Sequence, residues 1–247
     1  MKKIIPSNMS KVRLFFPKYE LCDVITINDK DILHKTNDVL SLKKGQHIYL
    51  FDGEGTEYRY QIIEISRKCV SLKKEALEQT GDTPLVKITL ALPLIKEQKL
   101  ELILQKATEL GIWAYQPFIC ERSIRERPSS GKMKRWTKIV QEATRQSNRL
   151  WIAQINEVID FDTLIKQDFS VKLAASIDGQ NITDIAKEKC HKILLAIGPE
   201  GDFSPHEYEK LKDNGFLFLK LSENILRVET ASIFASGLTN YFLTKLT

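Results

Sequence analysis

Short runs that alternate apolar and polar residues fill the first third of the chain. Val12–Phe16, Cys22–Ile27, His47–Phe51, Glu57–Ile65 and Cys69–Leu72 are rich in Val, Ile, Phe and Tyr, and turn residues such as Asp52-Gly53-Glu54-Gly55 separate them. A short helical piece is expected around Asp31–Leu40. These elements predict a small β-barrel over residues 1–75. Thr80-Gly81-Asp82-Thr83-Pro84 combines small polar residues with Gly and Pro and reads as a linker.

Beyond the linker the period changes. Val86–Leu92 reads as a strand. Lys96–Leu110 places Leu100, Ile103, Leu104, Ala107 and Leu110 at helical spacing, with Gly111 in the position that ends a helix. Ile112–Ile119 is a strand and Lys132–Arg149 a helix with Met133, Trp136, Val140 and Ala143 on one face. Val171–Ala175, Lys192–Ile197 and Phe216–Leu221 are further strands. Ser204-Pro205-His206-Glu207 opens a helix that Gly215 closes, with Ser as N-cap, Pro at the first position and Glu at the third. Val228–Leu246 is a last helix with Ala231, Phe234, Ala235, Leu238, Tyr241 and Phe242 inward. Alternating strands and helices over residues 82–247 predict a parallel sheet covered on both faces.

Composition adds little to this. The 247 residues are 43% hydrophobic and 28% charged, with a formal charge of +5, an ordinary globular mixture. No apolar stretch approaches membrane-helix length, and no apolar stretch follows the lysines of Met1–Ser10, so neither a membrane span nor a signal peptide is expected. Cys22, Cys69, Cys120 and Cys190 are scattered without metal-ligand spacing, which predicts no metal site and reduced thiols in a cytoplasmic protein. His34, His47, His191 and His206 form no partner pattern.

Charge changes the picture once it is located. Arg122 to Arg149 holds nine basic residues against two acidic ones. Lys134, Lys138, Arg145 and Arg149 are expected near one helix face, opposite Trp136 and Val140. Such a surface suits phosphate backbones. Lys43 and Lys44 add a smaller basic cluster in the barrel.

Two stretches carry candidate chemistry. Ile193–Ile197 runs into Gly198-Pro199-Glu200-Gly201-Asp202-Phe203, a strand followed by a Gly-rich loop and a capped helix, the usual ligand position of an open α/β sheet. It lacks the spacing of a P-loop or a dinucleotide fingerprint, which disfavours a nucleotide polyphosphate. Leu221-Ser222-Glu223-Asn224-Ile225-Leu226-Arg227-Val228-Glu229-Thr230-Ala231 leaves a strand for an apolar helix and sets Arg227 and Glu229 at the junction.

With these stretches the sequence resembles the ribosomal RNA small-subunit methyltransferase E family of the SPOUT superfamily. The resemblance rests on Arg13-Leu14-Phe15-Phe16, on His34 through Val39-Leu40, on Leu50-Phe51-Asp52-Gly53 and on Gln105–Gly111. It continues through Glu121-Arg122-Ser123, Glu142-Ala143 with Gln146 and Arg149, Gly198–Gly201 and Ile225–Ala231. It implies an α/β protein with an N-terminal PUA-like β-barrel and a C-terminal SPOUT domain holding a deep trefoil knot. It also implies a homodimer, S-adenosylmethionine as methyl donor, and methylation of uridine N3 in 16S rRNA of the small ribosomal subunit. Two residues depart from the family pattern: Asp202 stands where a second Gly is usual, and Ser41 where an Arg is usual.

On this reading Ala174, Ala175 and Ser176, Ile197 through Gly201, and Leu221, Ser222, Asn224, Ile225 and Leu226 cradle the cofactor. Arg227 stabilises charge on uracil, and Glu229 or Glu200 accepts the proton, Glu229 being equally suited to pairing Arg227. Lys43, Lys44, Arg122, Arg125, Lys138, Arg145, Gln146 and Arg149 hold RNA. Two other classes stay open: a catalytically inactive RNA-binding or ribosome-assembly protein of the same fold, and an α/β enzyme of small metabolites.

Overall fold

A computed structural model describes residues 11–185 and 191–245. Met1–Ser10, Cys190 and Leu246 lie outside them. The chain divides into two compact units, Met1–Thr83 and Pro84–Thr247.

In the first unit, strands β1 (Arg13–Phe15), β2 (Val24–Ile27), β3 (His47–Phe51), β4 (Thr56–Ile65) and β5 (Val70–Thr80) form one sheet in the order β1-β3-β4-β5-β2. Only β1 and β3 run parallel. All five strands and helix α1 (Lys30–His34) feed one core that includes Leu14, Ile25, Leu33, Ile48, Tyr60 and Leu72, as a barrel-like sheet requires. The β4–β5 pair shifts register three times along its length, the bulges that let long strands curl. The expected boundary at residue 75 falls inside β5. That strand runs to Thr80 because β4 offers partners as far as Thr56, although its outer half carries almost no apolar side chains. The expected helix Asp31–Leu40 is a short α-helix followed by a wider π-turn over Lys35–Val39, ending at Ser41 with φ 47°.

The second unit is a wholly parallel sheet. Its order is β12-β10-β11-β6-β7-β8, with β9 also on β7. The strands are β6 (Lys87–Pro93), β7 (Ala114–Ile119), β8 (Gln154–Ile155), β9 (Ile159–Asp160), β10 (Val171–Gln180), β11 (Lys192–Ala196) and β12 (Phe216–Leu219). Helices α2 (Glu97–Glu109), α3 (Ser130–Gln146) and α7 (Val228–Lys245) contribute to one apolar layer; α4 (Phe161–Ile165) and α6 (Pro205–Asp213) contribute to another. A short α5 (Ile182–Ile185) touches α7. Leu195 and Leu194 on β11 point to opposite layers, as the two-residue strand period dictates.

Local signals explain the helix ends. Gly111 and Gly215 have positive φ after α2 and α6. At α6 the capping box is complete: Ser204 Oγ accepts from Glu207 N at 3.3 Å and Glu207 Oε2 accepts from Ser204 N at 2.9 Å. Ser204→Ala is expected to cost about 1–2 kcal/mol, read as a lower urea midpoint at unchanged slope. The last helix departs from expectation. The helical period puts Phe234 and Tyr241 inward, yet they are 47% and 57% exposed, because the buried side of α7, packed against α2 and β6, is the one carrying Val228, Ser232, Ala235, Ser236 and Thr239.

Candidate functional site

The neighbours β12, β10 and β11 end on the same edge of the sheet, and the chain segments that leave them meet there. They enclose a cavity of about 610 Å³, a common size for a small-molecule site. Ala175, Ser176, Ile197, Gly198, Pro199, Glu200, Gly201, Leu221, Ser222, Asn224, Ile225 and Leu226 all line it, as does Arg227. Ala174 does not. Its side chain turns into the core and is fully buried, because Ala175 takes the other face of β10.

The Gly-rich loop is built around its departure from the family pattern. Asp202 N donates to the Pro199 carbonyl at 2.9 Å, and Asp202 adopts φ 58°, a conformation that Asp tolerates better than most residues. Each of its carboxylate oxygens accepts a hydrogen bond. Oδ1 accepts from Phe203 N and Oδ2 from the Tyr208 hydroxyl, each at 2.8 Å. Burial raises the pKa of the Tyr208 phenol, Ser176 opposing and Asp202 reinforcing the shift, so the hydroxyl remains a donor. The folded-back carboxylate also explains Gly198: a Cβ there would stand 2.6 Å from Asp202 Oδ1. The unusual residue is therefore accommodated, and nothing in the loop singles out a non-catalytic protein.

The turn after β7 braces the loop. Glu121 N donates to Glu207 Oε1 at 2.8 Å, and Arg122 Nη1 donates to the Gly201 carbonyl at 2.6 Å. Arg122, expected on RNA, also holds the cofactor-loop candidate, and its side chain remains exposed. Cys120 lies buried in this turn, and burial pushes its thiol up to about 11. At pH 7 that leaves on the order of one thiolate in 10⁴. Exposed Cys22 should react with iodoacetamide in the native protein, and Cys120 only after denaturation; mass spectrometry of the labelled peptides reads the order.

The basic segment is narrower than its charge count suggests. Arg135 pairs Glu101, Arg145 pairs Glu142 with 16% of its side chain exposed, and Arg127 donates to the Val158 carbonyl. Arg149 lies beyond the helix, after Asn148 at φ 57°, so the helical phase that would set it on the outer face no longer applies. It reaches inward to the Thr108 carbonyl, and burial lowers its pKa. Arg125, Lys134 and Lys138 remain exposed, as do Gln146 and, in the first unit, Lys43 and Lys44.

Glu229 does not pair Arg227. Its partner is Lys99, a residue that no motif of the sequence marks. Lys99 Nζ lies 3.6 Å from Glu229 Oε2 and 3.2 Å from Glu200 Oε1, and it lines the cavity with Ile177, Asp202, Val228 and Ala231. No local signal could have found it, since its partners are more than a hundred residues away. Among the described residues no group of three His, Cys, Asp or Glu could hold a metal, and no helix is long and apolar enough to cross a membrane.

Comparison with known proteins matches these elements. The RNA methyltransferase domain family matches residues 81–240, and the RNA methyltransferase PUA domain family matches residues 38–75. A ribosomal RNA small subunit methyltransferase E of Bacillus subtilis is 30% identical, over 93% of this chain and 94% of its own length. Its namesake in Rickettsia conorii is 34% identical over 82% and 84%. Among solved structures, a ribosomal RNA small subunit methyltransferase E from Neisseria gonorrhoeae bound to S-adenosyl methionine superposes with TM-score 0.84 at 27% identity, covering 94% and 98% of the two chains. A putative methyltransferase from Legionella pneumophila, also with bound S-adenosyl methionine, gives TM-score 0.84 at 25% identity over the same shares.

Proposed function

Since the chain belongs to the ribosomal RNA small subunit methyltransferase E family, we propose that it transfers a methyl group from S-adenosylmethionine to N3 of a uridine in 16S rRNA of the small ribosomal subunit. The observation that carries this reading is the cavity that the Gly198–Asp202 loop and the Leu221–Val228 segment form together. The cavity residues fit the cofactor. Apolar Ile197, Leu221, Ile225 and Leu226 suit a purine.

When bound, the cofactor supplies an electrophilic methyl group on a sulfonium. The protein's own residues do the rest. Arg227 is exposed at the cavity wall and makes no ion pair among the described residues, so its guanidinium is available to negative charge on the uracil oxygens. Glu200, with 42% of its side chain exposed, is the acceptor for the N3 proton. The loops hold donor and acceptor in register, where most of the rate advantage of a two-substrate transfer arises.

The RNA would lie on the exposed cations. Arg125→Glu with Lys134→Glu is expected to weaken 16S rRNA binding and lower the salt slope by about two, read by filter binding across a salt series. The homodimer belongs to the same reading, and exposed Phe234 and Tyr241 on α7 give it an apolar face. The deep trefoil knot and the cytoplasmic location complete it. The decisive assay incubates the protein and S-adenosylmethionine with small subunits from cells lacking it. N3-methyluridine in digested 16S rRNA supports the reading; no methylation in the presence of bound cofactor overturns it.

A further inference from the structure

We propose that Asp202 receives the α-ammonium group of the cofactor, an inference that rests on the methyltransferase reading. Among the described residues, the charged side chains that line the cavity are Lys99, Glu200, Asp202 and Arg227. The two carboxylates differ in their company. Glu200 has a countercharge, since its Oε1 accepts from Lys99 Nζ at 3.2 Å. Asp202 is exposed and forms no ion pair among the described residues; both of its hydrogen bonds come from neutral donors, the Phe203 N–H and the Tyr208 hydroxyl, each at 2.8 Å. Ser176, another residue of the lining, acts on the same phenol. These donors orient the carboxylate without neutralising it. A carboxylate has about two acceptor positions on each oxygen, so each oxygen keeps one for a ligand.

The backbone points the same way. Asp202 adopts φ 58°, a conformation that glycine meets at lower cost, so the turn itself needs no side chain there. Beyond its two hydrogen bonds, what the side chain adds is a fixed negative charge on the cavity wall. Such a group suits a cationic part of the ligand. S-adenosylmethionine carries two, a sulfonium and an ammonium. The sulfonium has no N–H and cannot fill acceptor positions. The ammonium brings three donors and can bridge both oxygens in charge-assisted hydrogen bonds. Apolar Leu221, Ile225 and Leu226 lie in the other segment of the lining and suit the uncharged nucleoside. Asp202 thus fixes which end of the ligand meets the Gly-rich loop.

Calorimetric titration compares S-adenosylmethionine, S-adenosylhomocysteine, which lacks the sulfonium charge, and deamino-S-adenosylhomocysteine, in which hydrogen replaces the α-amino group. The unsubstituted chain should prefer S-adenosylhomocysteine over its deamino analogue by roughly 10–100-fold. Asp202→Gly suits the backbone conformation and should reduce that preference to about threefold or less, with affinity for the deamino analogue held within about threefold. Retained binding of that analogue shows that the cavity is still formed. Asp202→Asn keeps the shape and tolerates the same φ, so it should lose most of the preference through charge alone. The ratio of S-adenosylmethionine to S-adenosylhomocysteine affinity reads the sulfonium and should change less than about twofold in either variant. The proposal is overturned if the unsubstituted chain shows no preference for the amino group, or if Asp202→Gly keeps that preference in full. It is also overturned if Asp202→Gly weakens S-adenosylhomocysteine and its deamino analogue equally, as loss of a merely structural residue would, or if the sulfonium ratio falls as far as the amino preference, as a general field effect would. Failure of the unsubstituted chain to bind S-adenosylmethionine and S-adenosylhomocysteine overturns the methyltransferase reading, and the proposal with it.

Discussion

Arg227→Ala is expected to slow methyl transfer by roughly 10²–10³-fold while cofactor affinity stays within about twofold. The side chain stands at the mouth of the α7 helix, exposed in the cavity wall, and forms no ion pair among the described residues. Removing it therefore leaves no buried partner unsatisfied and opens no core cavity. On the proposed mechanism the loss is a fixed positive charge where uracil becomes negative on giving up its N3 proton, an interaction that grows in the transition state. The effect should fall on kcat, with KM for S-adenosylmethionine little changed. Arg227→Lys should recover part of the rate, since it restores charge without the planar fork. An unchanged rate in Arg227→Ala with normal cofactor binding would remove Arg227 from the catalytic group.

The largest stability effect is expected in the first unit. Glu57 on β4 is fully buried and faces Arg13 on β1, which is 2% exposed. Lys11 approaches the same carboxylate at 3.0 Å and Gln79 Nε2 donates to it at 2.9 Å, while Arg13 lies over the Phe51 ring at 4.6 Å. Glu57→Ala strips the buried guanidinium of its carboxylate partner and should cost about 3–5 kcal/mol. A simultaneous Arg13→Met and Glu57→Leu replacement should cost markedly less, because neither member of the buried pair then remains to be desolvated and Lys11 keeps Glu78. Urea unfolding followed by Tyr fluorescence, with the two single variants completing the cycle, measures the difference. Equal losses in single and double variants would show that packing, not charge pairing, dominates there.

Much of the fold is legible in residue order. Ser204-Pro205 with Glu207, and Gly111 and Gly215, announce helix ends because capping is a contest among adjacent residues. The parallel sheet is legible from the spacing of apolar runs, and the cavity from the loops that leave two of its strands. The elements that escape do so for physical reasons too. The outer half of β5 is mostly polar and its one large apolar side chain, Leu77, is exposed, so its ladder with β4 is what makes it a strand. β8, β9 and α4 are two to five residues long, too short to show a period. Ala174 differs from the cavity-lining Ala175 by one strand position, which is enough to exchange cavity for core. Arg149 falls on the outer face only if the helix is extrapolated past Gln146, where it ends. Lys99 depends wholly on tertiary approach, across 101 residues to Glu200.

The hydrogen bond from Arg122 to the Gly201 carbonyl has a thermodynamic consequence. On the proposed reading the same exposed guanidinium also meets RNA phosphate, and a phosphate that took the Nη1 donor would compete with the Gly-rich loop for it. If RNA draws Arg122 away, the loop loses a brace and the bound nucleoside is released more readily. Reciprocity then fixes the converse: whatever factor RNA imposes on cofactor affinity, the cofactor must impose on RNA affinity. Under that condition one arginine would join the loading and unloading of the two substrates into a single coupled equilibrium.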